Sequence, residues 1–434
     1  MNHRRVRSTE LGAAKLDVRM DGRLVGSIGE TDTDVWFRYR DDVGAVADPP
    51  ISVRMPITAA PYGHRETLVF FDNLLVESDT RAELAQLSRF DPSDVVGLLG
   101  RIGAESVGAV SVWLTGSAPA EPPQYRRYST ADLLSLFDER HGERLLQAQL
   151  ESQQVLSGVQ RKLVFRRQGA DWLLPLAGAP STHIIKRSSG RYPGLVANEI
   201  ACLGLFTAVG LPVPDVAPVV VEDDADTGTE AESESLLLAV RRFDRVEHAN
   251  RIERLHQEDF CQLTGRRPSA KYQAGGGPGF AELAAVLRRW SVRPAEDLTL
   301  LLRASIANVL LGNGDAHAKN FALLSTPAGR RLAPFYDVVS TELYPLLSPT
   351  FAMRFGHAER ANALTAADVV RLAKDFGVTP ALVRQMVEDV CDRMLSELEA
   401  TLHGTVALTR DPQDVLTRLG ELVADRVMRV RGLL

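Results

Sequence analysis

Cysteine is scarce. The chain has three, Cys202, Cys261 and Cys391, far apart and odd in number. That points away from a disulfide framework and predicts buried free thiols in helix-like runs, in a reducing cytoplasm. Long apolar runs are missing as well. None reaches the roughly 18 residues a membrane-spanning helix needs, so no transmembrane segment is expected. The start, Met1-Asn-His-Arg-Arg, lacks the apolar run of a signal peptide, and a cytoplasmic protein is expected. Basic charge is not in excess: 50 Lys and Arg against 56 Asp and Glu give a net charge of −6. This argues against a nucleic-acid coat and leaves room only for a local basic patch. There is no internal repeat.

What is present is an ordinary globular balance, 45% hydrophobic and 24% charged over 434 residues. Such a chain can bury a large core, and its length predicts two or three domains.

The chemistry concentrates in one stretch. An apolar helical run through Leu298, Leu301, Leu302, Ile306 and Val309 stops at Gly312. Asn313, Gly314, Asp315, His317, Lys319 and Asn320 follow in quick succession before Phe321-Ala-Leu-Leu324 resumes as a short apolar piece. A loop so dense in polar groups, held between two apolar elements, suits a site. Further on, Asp337 ends another apolar run, Leu332-Ala-Pro-Phe-Tyr.

Phosphoryl transfer accounts for the spacing. Protein kinases place a catalytic Asp five residues before a magnesium-binding Asn, with a second magnesium-binding Asp beyond. Asp315, Asn320 and Asp337 keep that order. Mg²⁺ retains several waters, so one amide, one carboxylate and nucleotide phosphates suffice. Two common residues at a fixed offset also occur in solvated loops whose acids cap neighbouring helices, so the rest of the chain has to decide.

From Leu16 to about Trp113 the pattern is short strands and turns. Leu16–Met20, Asp21-Gly22 and Leu24–Ile28 predict a hairpin with a type I′ turn. Val35–Tyr39 and Ile51–Met55 predict further strands, Thr80–Leu87 and Asp94–Leu99 helical pieces, and His64 a loop residue. Nothing here carries nucleophile, metal or phosphate chemistry. Gly116–Tyr128 is Pro-rich and predicts a linker before a helix over Thr130–Leu146.

The second part holds donors. Around Gly158, the segment Ser157-Gly-Val159-Gln160-Arg-Lys162 can lay backbone N–H groups against phosphates, although a plain hairpin turn has the same pattern. Thr182–Lys186 is a strand ending in a lysine, and Glu199 lies on the following amphipathic helix. A strand Lys paired with a helix Glu positions phosphates in kinases. Glu222–Ser235 is acidic and predicts a disordered loop. Leu236–Val240 predicts a buried strand that could serve as a hinge, from which Arg241-Arg-Phe-Asp-Arg245 departs. Beyond it the chain turns helical, over Glu258–Leu263, Phe280–Trp290, Ala295–Leu311, Ala366–Phe376, Ala381–Leu402 and Asp411–Met428. Arg266–Gly279 interrupts as a basic, flexible loop. Thr365-Ala-Ala-Asp368 predicts a capped helix start, and Arg426, Arg429 and Arg431 a solvated helix face.

Several blocks together resemble HipA-type serine/threonine kinases, the toxin half of bacterial toxin–antitoxin pairs. They are Ser157–Lys162, Thr182–Lys186, Asn198-Glu199, Gly210–Pro214, Arg242-Phe-Asp-Arg245, Leu255–Gln262, Gly312–Phe321 and Leu332–Asp337, in the family's order. The amino-terminal part, with Phe71-Asp-Asn-Leu-Leu75, is similar to the module preceding the kinase in that family.

The resemblance implies an α+β, two-lobed protein-kinase-like (HipA-like) fold, with an α/β amino-terminal half and an all-helical carboxy-terminal half. It implies three parts: 1–120 as a β-rich module, 121–250 as the part with Gly loop, Lys strand and hinge, and 251–434 as the helical lobe. Carried onto this chain, Asp315 is the catalytic base, and Asn320 and Asp337 hold Mg²⁺. Lys186 contacts the ATP phosphates, Glu199 pairs with it, and the turn of Ser157, Gly158, Val159, Gln160 and Lys162 covers the nucleotide. His317 and Lys319 support by orientation or contact with the transferring phosphate.

Implied partners are a protein with a Ser or Thr acceptor, in some relatives an aminoacyl-tRNA synthetase, and a HipB-like helix-turn-helix antitoxin that carries the complex to operator DNA. No membrane partner is implied. Two departures stand out. Arg241 follows Val240 where the family often has Glu, and Val155 occupies a common autophosphorylation serine position, leaving Ser157 as the nearest hydroxyl. A silent corepressor and a small-molecule phosphotransferase are the competing readings. The full set of Lys186, Asp315, Asn320 and Asp337 speaks against the first, and the HipA-like amino-terminal module against the second.

Overall fold

The computed structural model describes residues 13–31, 34–44, 49–137, 142–154, 162–220, 236–249, 251–409 and 413–433. It divides into two compact units. The first comprises Met1–Ile185, Arg241–Pro268 and Leu324–Thr326; the second comprises Lys186–Val240, Ser269–Leu323 and Pro327–Leu434. Both helices and sheets are present, and the carboxy-terminal region is helical.

The first unit opens with β1 (Ala14–Met20), β2 (Arg23–Glu30) and β3 (Val35–Tyr39). Asp21 and Gly22 both take positive φ, 45° and 83°, as the tight turn between β1 and β2 requires. After α1 (His64–Phe71), α2 (Ser78–Ser88) and α3 (Val95–Ile102), β4 (Val110–Leu114) pairs with β1, giving an antiparallel sheet in the order β3-β2-β1-β4. Alternate residues Leu16 and Val18 face Phe70, Phe71, Leu98 and Leu99 in one core. His64 starts α1 and accepts the Val35 N–H at 3.2 Å on Nδ1, so it joins helix to strand and is no plain loop residue.

Ile51–Met55 forms only an isolated bridge, not a strand. The Tyr39 hydroxyl takes its backbone groups, accepting from Ile51 N–H and donating to Met55 C=O. The expected linker ends in a strand, β5 (Gln124–Tyr128), paired with a later one. The helix expected over Thr130–Leu146 is two, α4 (Thr130–Leu136) and α5 (Gly142–Ser152). β6 (Lys162–Gln168) and β7 (Asp171–Leu176) complete the order β5-β7-β6, and β8 (His183–Arg187) carries the chain from the first unit into the second.

The second unit continues with α6 (Leu195–Ala208) and the antiparallel pair β9 (Val216–Val220) and β10 (Leu236–Arg241). The acidic run Glu222–Ser235 lies outside the described residues. Back in the first unit, Arg242-Phe-Asp-Arg245 is a buried charge network. Glu105 accepts from Arg242 at 2.9 Å and Arg245 at 3.1 Å and also pairs with Arg254. Asp244 bridges Arg242 and Arg245 at 2.8 and 2.9 Å and accepts the Gly108 N–H at 2.7 Å.

β11 (Arg245–Glu247), β12 (Ile252–Arg254), β13 (Gln257–Asp259) and α7 (Phe260–Thr264) follow, so the expected helix over Glu258–Leu263 starts later, behind a capping box of Asp259 and Gln262.

In the second unit come α8 (Phe280–Trp290) and α9 (Pro294–Leu311); β14 (Ala322–Thr326) follows, its last three residues belonging to the first unit, and β15 (Gly329–Leu332) is again in the second. Then come α10 (Ala366–Phe376), α11 (Pro380–Thr409) and α12 (Gln413–Arg431). Thr365 and Asp368 form the expected capping box. On α11, Val383, Val387, Val390, Cys391 and Met394 are buried at helical spacing, where the helix packs on α6, α10 and α12. All three cysteines are buried free thiols. Among the described residues no helix is long and apolar enough to cross a membrane.

Arg426 does not lie on a solvated face. It is buried, donates to both oxygens of Glu342 at 2.8 Å and to the Val309 C=O at 3.1 Å. A guanidinium fork matches a carboxylate geometrically, and here it also takes a last-turn carbonyl of α9. Arg426→Met is expected to lower unfolding stability by about 2 kcal/mol, since it removes the two-pronged partner of Glu342 and leaves that carbonyl with only the Gly312 N–H at 3.2 Å. An unchanged denaturant midpoint would refute this role.

Candidate active site

The site is built at the carboxy-terminal end of α9. Pro294 occupies the first turn of that helix, Glu296 and Asp297 lie near its positive end, and Gly312 closes it in the left-handed region at φ 65°. A side chain at Gly312 would be strained there, and its Cβ would come within 3.0 Å of Glu342. The next residues leave the helix as an internally bonded loop. Asn313 donates to Asn308 Oδ1 at 2.8 Å and accepts the Asp315 N–H at 3.1 Å. The Asn320 amide donates to the Asp315 C=O at 2.8 Å, and the His317 N–H donates to the same oxygen at 2.7 Å. Asp315 and Asn320 are thus fixed to each other. With its Nδ2 committed, Asn320 has its Oδ1 as the atom able to meet a cation.

A second segment is bonded to this loop on both sides of Asp337. Before it, the Tyr336 hydroxyl donates to the Lys319 C=O at 2.8 Å. After it, Thr341 Oγ1 accepts the Gly314 N–H at 2.7 Å and donates to the Gly312 C=O at 3.2 Å. Asp337 itself sits at φ 52°, a left-handed conformation that the short polar side chain of Asp tolerates better than most. A third element locks on through Asn198 of α6, which donates to the Ser340 C=O at 3.0 Å and accepts the Ser340 N–H at 2.9 Å.

The neighbouring Glu199 meets Lys186, the first second-unit residue of β8, at 2.6 Å, and Lys186 also contacts Asp337. The ammonium is almost fully buried, while about 29% of the Asp337 side chain is exposed. Burial alone would lower the Lys186 pKa, but the Asp337 and Glu199 carboxylates outweigh it and hold the value above that of an ordinary lysine. Lys186 is therefore a fixed positive charge beside a reachable carboxylate.

Asp315, His317, Lys319, Asn320, Asp337, Lys186 and Glu199 all lie in the second unit. His317 and Lys319 are buried, and His317 Nε2 lies 3.9 Å from Asp315 Oδ1. Lys162 begins β6 in the first unit, where its C=O accepts from Gln149 at 3.2 Å. Ser157, Gly158, Val159 and Gln160 lie outside the described residues, as does Val155. Sequence reasoning missed the structural work of Asn313, Thr341 and Asn198. An Asn two residues before the acid was a legible hint of the turn; nothing local marked the other two. It also missed Tyr272, whose hydroxyl donates to Asp315 Oδ1 at 2.5 Å across 43 residues of sequence.

The donor set fits a magnesium nucleotide: one amide oxygen, one reachable carboxylate and a buried cation suited to phosphate. It also includes a half-exposed acid, Asp315, able to take a proton.

Comparisons with known proteins bear on the family and the fold. Residues 154–398 match the HipA-like C-terminal domain and residues 16–113 the HipA N-terminal domain. The Sinorhizobium fredii protein Y4mE, which carries a kinase name, is 34% identical over 427 residues, 96% of this chain and 98% of its own. The serine/threonine-protein kinase toxin HipA of Shewanella oneidensis is 25% identical over 341 residues, 76% of this chain and 75% of its own. Among solved structures, the fold matches the Shewanella oneidensis HipA, HipB and operator DNA complex with a TM-score of 0.78 at 21% identity, covering 96% of this chain and all of that one.

Proposed function

The chain belongs to the HipA family, with its kinase-like fold, and from that premise we propose that it is a Mg-ATP-dependent serine/threonine protein kinase. The observation that carries this reading is one bonded unit: Lys186 held by Glu199 and Asp337, with the Asp337 segment fastened on both sides to the loop of Asp315 and Asn320.

Bound Mg-ATP would supply the γ-phosphoryl group and neutralise its developing charge. Asp337 and the Asn320 amide are the residues that would hold the metal, and Lys186 lends a fixed charge to the phosphates. Asp315 orients the acceptor hydroxyl and takes its proton. The acceptor is a protein Ser or Thr, and phosphorylation of the chain itself, with Ser157 as one candidate, belongs to the same reading. As the Shewanella HipA is solved with HipB and operator DNA, we infer an antitoxin partner of that kind here, together with growth arrest when the kinase acts alone.

Asp337→Ala is expected to weaken nucleotide binding in the presence of Mg²⁺ by at least about tenfold, while binding without the metal changes little. Titration calorimetry with and without Mg²⁺ checks this. Equal weakening in both conditions would argue against a metal role.

A further inference from the structure

Asp315 is half exposed, and among the described residues one group alone hydrogen-bonds to its carboxylate: the hydroxyl of Tyr272, at 2.5 Å from Oδ1. An O–H donated to a carboxylate oxygen at that distance is a short, strong bond. Tyr272 is not a stray surface side chain. Its flanking backbone is fastened on both sides, by Ala318 N–H donating to Lys271 C=O at 3.3 Å and Gln273 N–H donating to Ala352 C=O at 2.9 Å. Its own C=O accepts the Gly277 N–H at 2.9 Å, and its ring meets the His317 ring edge-on at 5.2 Å. Lys271 Nζ lies 5.4 Å from the centre of the Tyr272 ring. The loop expected to be flexible is thus anchored where it reaches the acid.

We propose that Tyr272 is the positioning residue of the phosphotransfer site: its phenol holds Oδ1 of Asp315 so that Oδ2 faces the acceptor hydroxyl. The proposal rests on the kinase reading given above. A carboxylate has acceptor sites on both oxygens, so the phenol leaves Oδ2 open for the acceptor. A base held by one hydrogen bond needs that bond to keep its geometry, as the orienting member of a catalytic triad does for its histidine. Beside the Asp315 carboxylate stand His317 from its own loop, with Nε2 3.9 Å from Oδ1, and Tyr272 from the preceding one. The Glu342–Arg426 pair lies at the base, beside Gly312.

The test is Tyr272→Phe in the full-length protein, which keeps the ring against His317. The probe is Mg-ATP, and the readout is ADP formed with water and the chain itself as acceptors. The turnover number is expected to fall about tenfold while the KM for ATP stays as it was, the lower end for a hydrogen bond to a charged group. A merely structural role would raise the KM or lower the stability along with the turnover, and denaturant unfolding of the variant beside the kinetic split separates the two.

Unchanged turnover, or a loss matched by a loss of stability, would overturn the proposal. So would faster turnover, which would make Tyr272 a competitor of the acceptor. A wild-type protein that forms no ADP would instead reject the kinase reading, and this inference with it.

Discussion

Asp315→Asn is expected to bind Mg-ATP as the wild type does and to transfer phosphate about 10²- to 10⁴-fold more slowly, the usual range for a positioned proton acceptor. Asn has nearly the shape of Asp and can still accept the Tyr272 hydroxyl through its amide oxygen. The turn built by Asn313 uses the backbone N–H of residue 315, and Asn320 uses its C=O, so neither depends on the carboxylate. In the proposed mechanism, binding rests on Lys186, Asn320 and Asp337, which the change leaves alone. What is removed is a group that can take a proton. Nucleotide titration beside a transfer assay separates the two effects. A variant within about threefold of wild-type rate would take Asp315 out of the proton transfer.

The largest effect on stability is expected away from the site, at Glu105→Ala. Glu105 is fully buried and pairs with Arg242, Arg245 and Arg254, while Asp244 pairs with the first two of these. Removing it leaves two buried guanidinium groups, Arg242 and Arg245, sharing the carboxylate of Asp244, and the part-buried Arg254 without its acid. Breaking a buried pair from one side costs about 3–5 kcal/mol, because buried charge is left uncompensated. The denaturant midpoint should fall accordingly, and a loss under about 1 kcal/mol would contradict the account.

The same network has a pH signature. Burial works against ionisation of Glu105, but Arg254, Arg245 and Arg242 outweigh it and hold its carboxyl below the usual range; Asp244 is likewise held low. Depressed carboxylate values stabilise the fold fully above the unfolded pKa of about 4. That contribution is lost only as pH falls through the lower folded values. Wild-type stability should therefore decline in acid, and Glu105→Ala should show less of that decline.

Local signals carried much of the fold. The Asp-Gly turn between β1 and β2, the capping box of Thr365 and Asp368 and the apolar period of α8 and α10 each express a short-range rule. α9 was legible to within one residue, because Gly312 breaks it by backbone conformation. Long-range partners decided the rest. Ile51–Met55 alternates like a strand, yet the Tyr39 hydroxyl takes its backbone groups. Arg426 sits on a charged helix face in sequence, and only the fold brings it Glu342 and the end of α9.

In the site, the polar run from Asn313 to Asn320 is continuous and readable as a loop with chemistry. Beside its internal bonds, it is held by Thr341, Tyr336 and Tyr272, each remote and each an ordinary residue in its own neighbourhood.

The most direct measurement is the fate of the γ-phosphate. The full-length protein is incubated with γ-labelled ATP and Mg²⁺, alone and with cell extract, and the products are separated by size. The account predicts label on serine or threonine of protein, lost in Asp315→Asn. Label found only in a low-molecular-weight acceptor, or protein labelling unaffected by the Asp315 change, would contradict it.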